Sequence, residues 1–180
     1  MAIDEDTEKI REGAVGITYP VLMDRDHLLC ELYAISNVPT VIWIDENSRI
    51  ARPNSVAFGN DMFVEFHNQP SEPFKDKIRD WVHTGKVDIP ADQLPGAVED
   101  LSDDEVDARL HFRVAAHLRR EGSGAAATHF SKAEELAALD FTISRAAMPL
   151  TERDPFGEEF FALYEKWAEA GSPFHGLGRL

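Results

Sequence analysis

Ser36-Asn37-Val38-Pro39-Thr40-Val41-Ile42-Trp43-Ile44-Asp45, followed at once by Glu46-Asn47-Ser48-Arg49-Ile50-Ala51, reads as a turn, a proline, a buried strand, a tight turn and a returning strand. Val41 to Ile44 is a continuous apolar run rich in β-branched and aromatic side chains, the composition of a strand covered on both faces. Asp45 to Ser48 supplies polar turn chemistry, so Thr40–Ile44 and Arg49–Ala51 are expected to pair as an antiparallel hairpin. Pro39 directly ahead of the strand marks a constrained peptide bond, since only X–Pro bonds reach the cis form at modest cost.

Working upstream, Tyr19-Pro20-Val21-Leu22-Met23-Asp24 predicts a strand near Val21–Met23, and Asp26–Tyr33 predicts a short helix. Nearer the start, Asp6 or Thr7 can cap a helix that runs through Ile10 to about Glu12 and stops at Gly13. Downstream, Pro53 to Gln69 is expected to be a connection. Its Val56, Phe58, Met62, Phe63, Val64 and Phe66 are too many large apolar groups for a solvated loop, so a short helix is predicted over Met62–Phe66. Ser71, with Pro73 in the first turn, should cap a helix whose Phe74, Ile78, Trp81 and Val82 share one face and which Gly85 ends.

The order strand, helix, Val38-Pro39-Thr40, strand and hairpin resembles the second half of a thioredoxin-type fold. The segment from Tyr19 to Ile35 is similar to the insertion of TlpA/ResA-like thiol-disulfide oxidoreductases and the related peroxiredoxins. The similar region covers residues 1–85. The resemblance implies an α/β fold, a redox family, and a substrate-binding role for Val38, Pro39 and Thr40, where the backbone at Val38 would pair with an extended substrate. It also implies a Cys-x-x-Cys pair or a peroxidatic cysteine on the first long helix, which this sequence does not contain. The resemblance places Met1 inside, or just before the end of, the family's core strand that leads into the Asp6–Glu12 helix, so the family's first strand and its cysteine-bearing helix are expected upstream of this chain. Without them Val41–Ile44 would present an open apolar edge. A homodimer pairing edge to edge, the C-terminal helices folded across it, or a chain that expresses poorly until the upstream segment is restored is the expected consequence.

Composition narrows the function classes. The formal net charge of −15 argues against nucleic-acid and anionic-membrane partners, which are held mainly by Lys and Arg. No apolar run approaches the roughly 20 residues of a spanning helix, and the acidic N-terminus is unlike a signal peptide, so a soluble, cytosolic chain is expected. A single cysteine, Cys30, excludes an intrachain disulfide and a Cys-rich metal site.

Residues 86–101, with Pro90, Pro95 and Gly96 and no periodicity, read as a linker before a helical extension over 102–180. Between Asp88 and Asp107 eight acidic residues stand with no basic one. Part of that charge has a local purpose, because Ser102 and Glu105 form a capping box and carboxylates suit a first helical turn. The helix so started carries Val106, Leu110, Val114 and Leu118 at four-residue spacing, and a second, from about Gly124 to Leu139, offers Ala126, Phe130, Ala133 and Ala137 as one face. With Ala115, this pair resembles one tetratricopeptide unit, without a second copy. Asp154-Pro155 should open a last helix with Phe156, Phe160, Leu163, Tyr164 and Trp167 as its stripe. Ile143, Arg145 and Asp154-Pro155-Phe156-Gly157 to Phe161 resemble the helical tail of some large TlpA-like proteins.

Candidate chemistry is sparse. Cys30 sits mid-helix among Leu28, Leu29, Leu32 and Tyr33, with no cationic neighbour to stabilise a thiolate, and reads as a small buried filler. His27, His67, His83, His111, His117, His129 and His175 show no His-x-x-x-His or HExxH spacing, and Asp103-Asp104-Glu105 lacks the glycine of a calcium loop, so no metal and no cofactor are expected. Three classes remain: a redox-family protein whose catalytic half lies elsewhere, a catalytically silent thioredoxin-like module that binds a protein or peptide, and a helical adaptor over 102–170.

Overall fold

The computed structural model describes residues 1–3, 6–62 and 64–177 of the chain. It is a mixed α/β protein of the α+β kind, with helices α1 (Thr7–Gly13), α2 (Leu28–Leu32), α3 (Val64–His67), α4 (Ser71–Thr84), α5 (Asp103–Arg120), α6 (Ala126–Leu136), α7 (Ser144–Leu150) and α8 (Glu158–Glu169). Strands β1 (Thr40–Ile44) and β2 (Ile50–Val56) form a two-stranded antiparallel sheet. Among the described residues no helix is long and apolar enough to cross a membrane.

Two compact units are distinguished. One joins residues 1–36 to 101–174, and the other joins 37–100 to the segment from His175 onward. The break at Asp100/Leu101 falls at the end of the stretch read as a linker. Residues 1–36 group with the later helices for reasons visible in side chains. Arg113 pairs with Glu31, Arg120 Nη2 lies 2.7 Å from Asp26, and the His27 ring stacks on Phe112 at 4.3 Å between centroids.

In the hairpin unit, β1 occupies the span expected but is not covered on both faces, since only its Trp43 is buried and Ile44 is 45% exposed; β2 runs on to Val56. Residues Pro53–Val56, expected to begin a connection, are strand. The register explains how a strand tolerates Pro53: between the pairs Val41↔Ser55 and Trp43↔Arg52 one β1 residue faces two on β2, a bulge at which proline's missing N–H costs no ladder bond. Trp43 is buried and stacks on Trp81 at 5.1 Å, with Ala57 and Phe74 completing a small core that Val41, Ala51, Ile78 and Val87 flank. The opposite edge of β2 meets the chain terminus, where Leu177 N donates to Asn54 O at 2.7 Å. Along the outer edge of β1 no strand pairs among the described residues.

Other expectations shift in detail. Val21–Met23 forms a single parallel bridge, Met23 to Ala2, rather than a strand: Ala2 N donates to Leu22 O and Asp24 N to Ala2 O, each at 2.8 Å, and the Leu22 side chain stays exposed. The short helix after the hairpin is α3, one to two residues late; Phe63 and the side chain of Phe66 lie outside the described residues. Helix α4 ends at Gly85 in the left-handed conformation as expected, yet Ser71 is its first residue and makes no side-chain cap, its N–H donating instead to Asp61 Oδ1 at 2.7 Å. Val82 points to solvent, at 68% exposure.

The helical unit is built on α5 against α6. Ser102 caps α5 with the full reciprocal box: Glu105 N donates to Ser102 Oγ, and Ser102 N to Glu105 Oε2 at 2.7 Å. The buried face of α5 is Ala108, Phe112, Ala115 and Ala116, not the four-residue series that includes Leu110 and Val114, which are 44% and 43% exposed. The larger apolar side chains gave a plausible stripe, but the alanines permit close approach to α6, whose Ala126, Phe130 and Ala133 are buried as expected. Asp154-Pro155 forms a turn ahead of α8, and Gly157 is that helix's N-cap. Phe160, Tyr164 and Trp167 line α8 and gather around Phe141, while Phe156 is exposed beneath the Arg145 guanidinium at 4.6 Å.

Candidate functional site

The corner before β1 is held by its own polar groups. Asn37, nearly buried, accepts Val38 N on Oδ1 at 2.8 Å, and its carbonyl accepts the Thr40 hydroxyl at 2.7 Å. The Val38–Pro39 bond is cis. Val38 and Thr40 are half-buried and Pro39 is exposed, so Val38, Pro39 and Thr40 form one surface corner at the start of the β1 edge along which no strand pairs among the described residues. These three side chains carry no acid, base or nucleophile beyond the bonded Thr40 hydroxyl. What the corner can offer is backbone.

Cys30 lies in the other unit, on α2, fully buried. Burial pushes its thiol up to about 12, helped by the carboxylates of Asp24 and Asp140 and only partly opposed by Arg109. At neutral pH such a thiol is almost entirely protonated, and the thiolate is the form that attacks disulfides.

Beside it runs a buried polar network that sequence reading missed. Arg109 Nη2 donates to Asp140 Oδ2 at 2.6 Å and to Ile35 O at 3.1 Å, while Nη1 donates to Glu105 O at 3.0 Å. Asp140 Oδ1 accepts both Thr142 N and the Thr142 hydroxyl. Burial pushes the Asp140 carboxyl above the usual range, against the pull of Arg109 and Thr142. The bonds from Arg109 to Ile35 O and from Phe141 N to Ser36 O fasten the end of the 1–36 segment to the helical unit, so the network reads as a fastening rather than a reaction centre. No local pattern links residues 35, 109 and 140, which explains why it was not foreseen.

The histidines separate by role. His27 takes a left-handed backbone ahead of α2, is 3% exposed, and places Nε2 3.2 Å from Ile3 O. Burial lowers its pKa, so the ring is held neutral. His111 on α5 and His129 on α6, eighteen residues apart in sequence, meet with their Nδ1 atoms 2.8 Å apart. The usual ligand spacings do not detect such a pair; only the facing of two antiparallel helices could. Among the described residues no group of three or more His, Cys, Asp or Glu is placed to hold a metal. Comparison with protein-family models, with curated proteins and with solved structures finds no match to this chain.

Proposed function

We propose that the chain is a thioredoxin-type module of the TlpA/ResA-like redox family that, by itself, binds an extended protein or peptide segment and performs no thiol-disulfide exchange. The supporting order is α2, the Val38-Pro39-Thr40 corner, the β1–β2 hairpin and α4, with a helical extension whose α5–α6 pair buries Ala115, Ala126, Phe130 and Ala133 in the manner of one tetratricopeptide unit. The observation that carries the reading is the state of Cys30: the one cysteine of the sequence is buried with its thiol pushed up to about 12, while the corner and the outer edge of β1 have backbone to offer. A cytosolic setting suits such a thiol.

The test has two arms. The chain should fail to reduce insulin disulfides with dithiothreitol, and a reduced, alkylated, unfolded polypeptide should shift amide resonances of Val38–Ile44. Turnover that Cys30→Ser abolishes, or shifts that spare β1, would sink the proposal. Light scattering on the same samples reports the alternative occupant, a second copy paired along β1, which Ile42→Lys should dissociate. A second reading, in which the α5–α6 hairpin docks a peptide as a helical adaptor, is favoured by the exposed Leu110 and Val114 and predicts shifts there instead.

A further inference from the structure

We propose that His111 and His129 form a two-imidazole site for a divalent transition-metal ion of the zinc class. The nitrogens meet at 2.8 Å, the ring centroids lie 5.0 Å apart, and the planes are tilted by 35°. The gap between those two distances is about two imidazole ring radii, one from each centroid to its nitrogen, so the Nδ1 atoms face each other almost along the line joining the rings. A tetrahedral zinc with metal–nitrogen bonds of about 2.0–2.1 Å sets two imidazole nitrogens about 3.3 Å apart and their ring centres about 5 Å apart. The rings therefore already stand at the separation a shared metal needs. A modest in-place turn of each opens the nitrogens by about 0.5 Å and brings both lone pairs onto one ion.

The scaffold that holds the pair is stiff. Each histidine precedes a buried phenylalanine, and Phe112 and Phe130 meet edge to face at 5.6 Å across the same helix pair. Ala108, Ala115 and Ala133 are fully buried and let the helices approach closely. The rings themselves are half-buried, so an ion can reach them, and water would complete the coordination shell. Imidazole nitrogen is a preferred donor for zinc, copper and nickel, and two donors fixed on a rigid frame bind more tightly than two free ones. The competing account is a plain Nδ1–H···Nδ1 hydrogen bond between the two rings, which would hold no ion.

Zinc titration of the full chain separates the two. We expect one ion bound by calorimetry, at least tenfold weaker binding in His111→Phe and in His129→Phe, and simultaneous movement of the Nδ1 resonances of both histidines with the first equivalent in ¹⁵N-histidine spectra. Binding within twofold of the parent chain in either variant overturns the proposal. So does a first equivalent that moves other histidines and leaves this pair still. The resonance measurement uses the unaltered chain, so it decides even where a variant does not fold.

Discussion

Arg109 and Asp140 show what one residue can decide in the helical unit. Both are almost fully buried, and their ion pair at 2.6 Å is completed by carbonyls and by Thr142. Removing one member leaves the other charge in a site that has lost its compensation, and breaking such a pair costs about 3–5 kcal/mol. Asp140→Ala should therefore lower unfolding stability by about that amount. The double variant Arg109→Met, Asp140→Ala should lose clearly less than the sum of the two single losses, because the second change removes the stranded charge. Denaturant unfolding of the four chains checks this, and simple additivity would mean that the pair is not coupled. In the hairpin unit Arg52 plays a milder version of the part. It is buried, lies 5.6 Å from the centre of the Trp43 ring and donates to Asp88 Oδ1 at 2.7 Å, but Asp88 is 39% exposed and can share its charge with water.

At the scale of elements, the clearest signals were local ones. The α5 capping box was legible because Ser102 and Glu105 stand three apart ahead of a helical run, and the reciprocal bonds form. Ser102→Ala should cost about 1 kcal/mol, read as a lower midpoint in denaturant with unchanged slope. Phe130→Ala, which empties the edge-to-face contact with Phe112 in the α5–α6 core, should cost about 3–5 kcal/mol by the same measurement. Equal losses from the two changes would mean that the helix pair does not rest on that core. The β1–β2 hairpin was likewise legible from its apolar run and polar turn. What the sequence concealed was long-range. The buried face of α5 is set by alanines that allow α6 to come near, so counting large side chains chose Leu110 and Val114, which face outward. Of the candidate site, the corner at Val38, Pro39 and Thr40 and the burial of Cys30 were readable from neighbours in the chain. The His111–His129 contact and the fastening of Ile35 by Arg109 were not, because each depends on which helix faces meet.

For the molecule as a whole, two ionisable groups should make the two units lose stability in different pH windows. In the helical unit His27 is buried neutral, and burial lowers its pKa, with partial opposition from the Ile3 carbonyl and Asp24. A folded-state pKa below the unfolded one means that the unfolded chain takes up the proton first. Stability from this group is therefore full above about pH 6.5, the ordinary histidine value, and falls as the pH drops from there through the lowered folded value. In the hairpin unit the hydrogen bonds from Arg52 hold the Asp88 carboxyl below the usual carboxylate range. Its contribution is present above about pH 3.9 and is lost only as the pH falls through the lowered value, and its partial exposure keeps it small. Hydrogen exchange between pH 7 and 3, corrected for the intrinsic rate, should show protection around α2 and α5 declining from about pH 6.5, while β1 and β2 hold until below about pH 4. His27→Gln should erase the first decline and leave the second, whereas Asp88→Asn should flatten the second alone. Loss of protection in both units at one common pH, unchanged by either substitution, would show that these groups do not set the acid response.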